Sequence, residues 1–183
     1  MDERIMVFID GSNLHHAMER HAKLRSGFAI DYSRLVSALL ESRKLVRAYY
    51  YGSRPAQPNP QQESFFKKLE RLGFDVNIKT LKLRERVCRH CGQRQKTHIE
   101  KGVDVALVTD LLAFGFRSGY DTAIIVSGDN DFLQAVNEVK RLPRRVEIAA
   151  FSDSICEETQ RKADRFIPLE AMADRIRMAQ ASP

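Results

Sequence analysis

The chain alternates short apolar runs with stretches of helical periodicity. Strand-like runs of four to eight residues fall at about 5–9, 45–51, 74–79, 122–127 and 145–150, with a shorter one around Arg165–Ile167. The run TAIIVS at 122–127 shows no polar alternation, which suits a central parallel strand covered on both faces. Helical patterns lie between the runs. In DYSRLVSALLESRK, Leu35, Val36, Leu39 and Leu40 form one face, with Asp31 as cap. NPQQESFFKKLERLG places Asn59 as cap, Pro60 at the first helical position, Gln62 in the capping-box position and Gly73 as terminator. GVDVALVTDLLAFG repeats apolar residues at Val103, Leu107, Leu111 and Phe114, and DFLQAVNEVKRL and SICEETQRKADRFIPLEAMADRIRMAQ supply the last helices.

This alternation predicts an α/β protein, with a doubly wound, mostly parallel central sheet flanked by helices. Two stretches interrupt it. GSRPAQPNPQ holds three of the six prolines and reads as a loop. TLKLRERVCRHCGQRQKTHIEKG reads as a basic hairpin-like insertion near 80–100, tipped by a cysteine pair. No linker or internal repeat divides the chain, so 1–183 is expected to form a single domain.

Charge adds a direction. Between Lys67 and Lys101, eleven Lys and Arg stand against four Asp and Glu, so this segment alone outweighs the chain's net charge of +6. A basic surface beside a balanced body points to a polyanionic partner, nucleic acid first, against the plainer reading of a solvated hairpin. No apolar run approaches the ~20 residues that span a bilayer. The first strand-like run begins at Ile5 without a basic leader, and three cysteines are an odd number for a disulfide framework. The expected place is the cytoplasm.

Candidate chemistry lies where strands end. The apolar run Ile5–Ile9 stops at Asp10, followed by Gly11, Ser12 and Asn13. The central run closes on SGDNDF, where Gly128 permits a tight turn and Asp129 and Asp131 leave it, one of them a candidate cap for the next helix. In open parallel sheets, ligands bind beyond the carboxyl ends of the strands. A fourth carboxylate, Asp104, precedes Leu107, Val108 and Leu111 by three, four and seven residues and so continues the apolar stripe of its helix. The alternative for Asp104 is a salt bridge to Lys101 or an arginine; Asp110 is a weaker companion. Four carboxylates in one crevice need a cation, and oxygen ligands favour Mg²⁺ or Mn²⁺. Ser12, Asn13 and Ser127 suit hydrogen bonding around such a site.

These residues carry a resemblance. Asp10-Gly-Ser-Asn-Leu, then Glu100-Lys-Gly-Val-Asp-Val-Ala-Leu107, then Ser127-Gly-Asp-Asn-Asp-Phe132 together resemble the NYN domain, in its LabA-like branch within the PIN-like nuclease superfamily; KADRFIPL, with Asp164, looks like the same branch. The resemblance implies a Rossmann-like PIN/NYN fold, a Mg²⁺- or Mn²⁺-dependent acidic site and ribonuclease activity. It carries over Asp10, Asp104, Asp129 and Asp131 as metal ligands and Asn13 as a site residue, with Lys101 and Asp110 fitting the pattern.

Other residues leave alternatives open. Cys88 and Cys91 have zinc-ligand spacing, with His98 following, but a Zn²⁺ site needs a fourth ligand from His90, a distant residue or another subunit. A reduced thiol pair on an exposed loop is the leading alternative, and a redox pair the third. His15 and His16 read as surface residues or as crevice-facing groups. Tyr49, Tyr50 and Tyr51 read as core, or one of them as a stacking surface for an unpaired base.

The expectation is therefore a metal-dependent endoribonuclease leaving a 5′-phosphate and a 3′-hydroxyl. Lys82, Arg84, Arg86, Arg89, Arg94 and Lys96 would hold single-stranded RNA in a salt-sensitive manner. A homodimer is one option for assembly, and no membrane partner is expected. The rival is a non-catalytic RNA-binding or regulatory module that retains the acidic site. A phosphatase with an aspartyl nucleophile is disfavoured by Ser12, where a second Asp is wanted. A dinucleotide enzyme is disfavoured by the lack of GxGxxG after the first strand.

Overall fold

The computed structural model describes residues 3–24, 28–57, 59–87 and 90–179. Six strands form one parallel sheet: β1 (Arg4–Asp10), β2 (Lys44–Arg54), β3 (Phe74–Thr80), β6 (Thr122–Val126), β7 (Arg145–Ala150) and β8 (Arg165–Pro168). Their spatial order is β3-β2-β1-β6-β7-β8. The chain thus builds outward from β1 in one direction, returns to β6 beside it, and continues the other way. β1 and β6 flank the topological switch point, where Ile9 pairs with Val126.

Each strand face finds its own helices. Ile5, Val7 and Ile9 of β1 pack with Leu14 and Ala17 of α1 (Gly11–Leu24), Leu35 and Leu39 of α2 (Tyr32–Leu40), and Phe66 and Leu69 of α3 (Pro60–Arg71). Met6 and Phe8 turn to the other side, against Val103, Leu107 and Leu111 of α4 (Val103–Phe116) and Val136 and Val139 of α5 (Leu133–Lys140). Two-sided burial explains why β6 is apolar from Ala123 to Val126: every one of its residues is buried, and Thr122 at its start bonds to Glu3 through its hydroxyl. Short helices α6 (Glu157–Lys162) and α7 (Ala173–Ile176) flank β8 in sequence. Among the described residues no helix is long and apolar enough to cross a membrane.

Local signals account for most boundaries. Asp31 accepts from the Arg34 N–H at 3.0 Å, Asn59 accepts from the Gln61 N–H at 2.9 Å, and Gly73 ends α3 at φ +88°. Two expectations need correction. Gln62 does not close a capping box; its side chain donates to the Ser53 carbonyl at 3.1 Å. The proline-containing loop is also shorter than expected, because pairing of β2 with β3 continues through Gly52, Ser53 and Arg54. Tertiary pairing overrides the turn chemistry of those residues. The expected hairpin is present as β4 (Lys82–Val87) and β5 (Arg94–Ile99), paired antiparallel.

The amino-terminal edge of the sheet neutralises its carboxylates. Arg4 grips Asp121 with its guanidinium at 2.8 and 3.1 Å. Arg43 takes both oxygens of buried Glu147 at 2.8 and 2.9 Å and also donates to the Leu39 carbonyl. Arg43→Ala would strand a buried charge and is expected to cost about 3 kcal/mol or more in urea unfolding. The paired apolar replacement, Arg43→Met with Glu147→Leu, should recover most of that loss.

Candidate acidic site at the strand ends

The carboxyl-terminal edge is built differently. Asp10 is the last residue of β1 and only 3 % exposed. Its Oδ1 accepts the Asn13 N–H at 3.0 Å, as a helix cap does, and its Oδ2 accepts the Ser127 hydroxyl at 3.0 Å. The Ser127 oxygen in turn accepts the Asp129 N–H at 3.1 Å, and Asn13 Oδ1 accepts the Gly128 N–H at 2.9 Å. These bonds lock the turn after β1 to the turn after β6. Close approach requires two glycines: a Cβ on Gly11 would fall 2.2 Å from the Tyr50 ring, and one on Gly128 would fall 2.3 Å from the Ser154 carbonyl oxygen.

Other carboxylates gather around Asp10. Asp129 caps a 3-10 turn over Asn130–Phe132, accepting the Asp131 N–H at 2.9 Å, so Asp129 is a cap and a member of the group at once. Asp104 stands in the first turn of α4. Burial first, then the charges of Asp104 and Glu100, push the Asp10 carboxyl up to about 6 against the two bonds that oppose the shift. Asp104 is likewise raised, by desolvation and then by Asp129, Glu100 and Asp131. Among the described residues no ion pair involves Asp10, Glu100, Asp104, Asp129 or Asp131. The salt bridge considered for Asp104 is therefore not formed with Lys101, which is exposed.

The position of Asp104 differs from expectation. The buried face of α4 is Val103, Leu107, Leu111 and Gly115, and Asp104 faces solvent at the rim. The face predicted by the spacing of Val103, Leu107 and Leu111 is the buried one, but Asp104 lies about 100° round the helix from Val103 and falls outside it, as do Val105 at 68 % and Phe116 at 66 % exposed. Asp110 takes a different partner, accepting the Tyr51 hydroxyl at 2.8 Å, and is not among the charges that raise Asp10 or Asp104.

Glu100 was not singled out by sequence reasoning. It follows β5 directly and accepts the Ser12 hydroxyl at 2.7 Å, which ties the foot of the hairpin to the start of α1. The available signal was its place four residues before Asp104, across the Gly102 break at φ +81°. Asn130 also went unnoticed; its Oδ1 accepts the Thr159 hydroxyl at 2.8 Å and anchors the acidic turn to α6.

The remaining candidates fall into place around this edge. Tyr50 and Tyr51 are buried, and Tyr49 stacks on Phe8 and Phe114 at 5.4 and 5.3 Å, as core residues do. His15 and His16 are exposed beside Glu19. Asp164 lies at the opposite edge, accepting the Val146 N–H and pairing with Lys140 at 2.9 Å. Lys82, Arg84, Arg94 and Lys96 are exposed on the hairpin. Cys88, Arg89 and the Arg86 side chain lie outside the described residues, so the zinc expectation rests here on Cys91 and His98, both exposed. Among the described residues no three His, Cys, Asp or Glu side chains close on one point as metal ligands. The carboxylates interact electrostatically without forming a closed chelate.

A doubly wound parallel sheet with carboxylates gathered at its switch point defines an α/β protein with an acidic strand-end crevice. The chain matches the NYN domain over residues 4–170 and belongs to that family, within the PIN-like nuclease superfamily. It is 27 % identical over 170 residues to the low amplitude and bright protein LabA of Synechococcus elongatus, covering 91 % of this chain and 83 % of that protein. A solved structure of a protein of unknown function from Vibrio parahaemolyticus shares the fold, with a TM-score of 0.71, 21 % identity and 97 % of each chain covered.

Asp10 offers a direct check of the electrostatics. Its carboxyl titrates higher in the folded state than in an unfolded chain, so folding favours the protonated form. The resulting stability is present below pH 4 and lost as pH rises through 6. Asp10→Asn is expected to stabilise the protein at pH 7.5 in EDTA by up to ~3 kcal/mol. Urea titrations should show that advantage shrinking to nothing near pH 4.

Proposed function

We propose that this protein is a divalent-metal-dependent ribonuclease that hydrolyses phosphodiester bonds in single-stranded RNA at its acidic strand-end site. The observation that carries the reading is the contrast between the two edges of one sheet. Asp121 and Glu147 are matched by arginines, whereas Asp10 and Asp104 are raised by burial and by the charges of their acidic neighbours, Glu100, Asp129 and Asp131 among them, and among the described residues none of the five is in an ion pair. Such an arrangement stores repulsion that protonation relieves in acid and that a bound cation relieves at neutral pH. The donors are all oxygens, the set that suits Mg²⁺ or Mn²⁺, and Asp10, Asp104, Asp129 and Asp131 would hold the ion. When bound, such an ion supplies a lowered pKa for water and stabilisation of the departing oxygen.

The chain's own residues do the positioning. Asn13 and Ser127 hold both oxygens of Asp10, so this carboxylate is oriented before any ligand arrives. Asp129 keeps one oxygen committed to the Asp131 N–H and the other available. Asp104 and Asp131, solvent-facing at the rim, stand where a phosphate backbone approaches. Ser12 restrains Glu100. Among the described residues the thiols of Cys91 and Cys156 are free, which fits action in the cytoplasm, where cysteines stay reduced.

Purified protein is expected to cleave end-labelled single-stranded RNA with Mn²⁺, leaving 5′-phosphate and 3′-hydroxyl ends, and to stop in EDTA. Asp129→Asn should lower the rate about 100-fold or more. Cleavage that persists unchanged in that variant would remove the assignment. Binding without cleavage by the unaltered protein would favour a non-catalytic RNA-binding module instead.

A further inference from the structure

The β4–β5 hairpin has two chemically different faces. Side chains alternate across a strand, and the register pairs Lys82 with Ile99, Leu83 with His98, Arg84 with Thr97, Glu85 with Lys96 and Val87 with Arg94. One face therefore carries Leu83, Glu85 and Val87 beside His98, Lys96 and Arg94. On it Lys96 is already engaged by Glu85 at 3.4 Å, and Leu83 and Val87 are 53 % and 59 % exposed. The other face carries Lys82 and Arg84, both exposed, opposite the neutral Ile99 and Thr97. Among the described residues neither cation is in an ion pair.

The hairpin is also anchored in a particular place. Its first strand leaves the carboxyl edge of the sheet just after β3 ends at Thr80, and Leu81 is held by its N–H to the Arg54 carbonyl at 2.8 Å. Its second strand returns to that edge at Ile99, the partner of Lys82, followed by Glu100 bonded to Ser12. Lys82 thus stands at the foot of the hairpin, one register position from the acidic group, and Arg84 stands one stride above it. Side chains two apart on a strand face are separated by about 6.8 Å, a stride that lets successive cations meet successive phosphates of an extended strand.

We infer that single-stranded RNA runs along the Lys82–Arg84 face of the hairpin toward the acidic site, and that the Arg94–Lys96 face is not part of this track. The inference rests on the proposal that RNA is the substrate, and it assigns the path by which the strand arrives. Free cations on one face are complementary to a phosphate chain. On the opposite face Lys96 is spent on Glu85, and Arg94, exposed and in no ion pair among the described residues, stands beside Val87 with that carboxylate and the apolar Leu83 on the same face, so only one free Lys or Arg is offered there.

Two double variants with the same change of charge separate the faces: Lys82→Glu with Arg84→Glu, and Arg94→Glu with Lys96→Glu. Each is placed in the Asp129→Asn background, so that labelled single-stranded RNA is bound and not cut, and affinity is measured from 50 to 300 mM salt. The first is expected to weaken binding at least tenfold and to lower the slope of log K against log salt by about 1.4, two phosphate contacts on a single strand. The second should stay within threefold. Lys82→Gln with Arg84→Gln should follow the first in direction, and thermal melts of all variants should match the parent. Equal weakening by both glutamate pairs, a larger loss in the second, or no loss in either would overturn the face assignment and leave the nuclease reading untouched. An unaltered protein that binds RNA with this asymmetry but never cleaves it would overturn the nuclease reading and leave the track standing.

Discussion

Parallel pairing of β1 with β6 is the constraint on which the rest depends. It places the ends of two buried strands with apolar centres side by side, so the polar residues at and beyond those ends must meet. Asp10 and Ser127 meet as carboxylate and hydroxyl, and Asn13 meets the backbone of Gly128. Each of these groups would cost energy if left unbonded in so buried a place, and the pairing of the strands is what lets them satisfy one another. The two core clusters on either side of the sheet hold this register, since a slip by one residue would turn Ile5, Val7 and Ile9 toward the wrong helices.

The sheet is consequently polar in a functional sense. Its amino-terminal edge is closed by complete ion pairs, and its carboxyl-terminal edge concentrates like charge. Burial alone would make Asp10 costly, and its neighbours add to that cost. A fold tolerates such a place when the surrounding bonds over-determine it, as Asn13, Ser127 and the two tight glycines do here. Structure and chemistry are linked at this point, because the rigidity that holds the repelling carboxylates together also keeps them oriented for a ligand.

The hairpin extends this logic outward. Its described residues add nothing to either core cluster, yet Ser12 and Glu100 join its base to the acidic edge. Under the proposed function, a basic arm fixed to an acidic site would bring opposite requirements of one polyanion together: cations to hold the strand, and carboxylates to hold a metal ion. Membership of the NYN family and the likeness to LabA extend over nearly the whole length of the chain, hairpin included.

Much of this was determined by the sequence alone, because the signals are local. Six strand-like runs, the Asp31 and Asn59 caps, the Gly73 stop and the placement of Asp10, Asp129 and Asp131 after strands follow from periodicity and turn chemistry, which act over a few residues. Only tertiary structure decided what depends on distant neighbours. The buried face of α4 runs through Val103, Leu107 and Leu111 as their spacing predicts, but only packing decided that Asp104, one position round, lies at the rim and not in the core stripe. Pairing with β3 carried β2 through residues that favour a turn. Asp110 found Tyr51, and Glu100 found Ser12 across 88 positions of chain. A carboxylate's role is set by the charges and donors around it, and those are supplied by the folding of remote segments against one another.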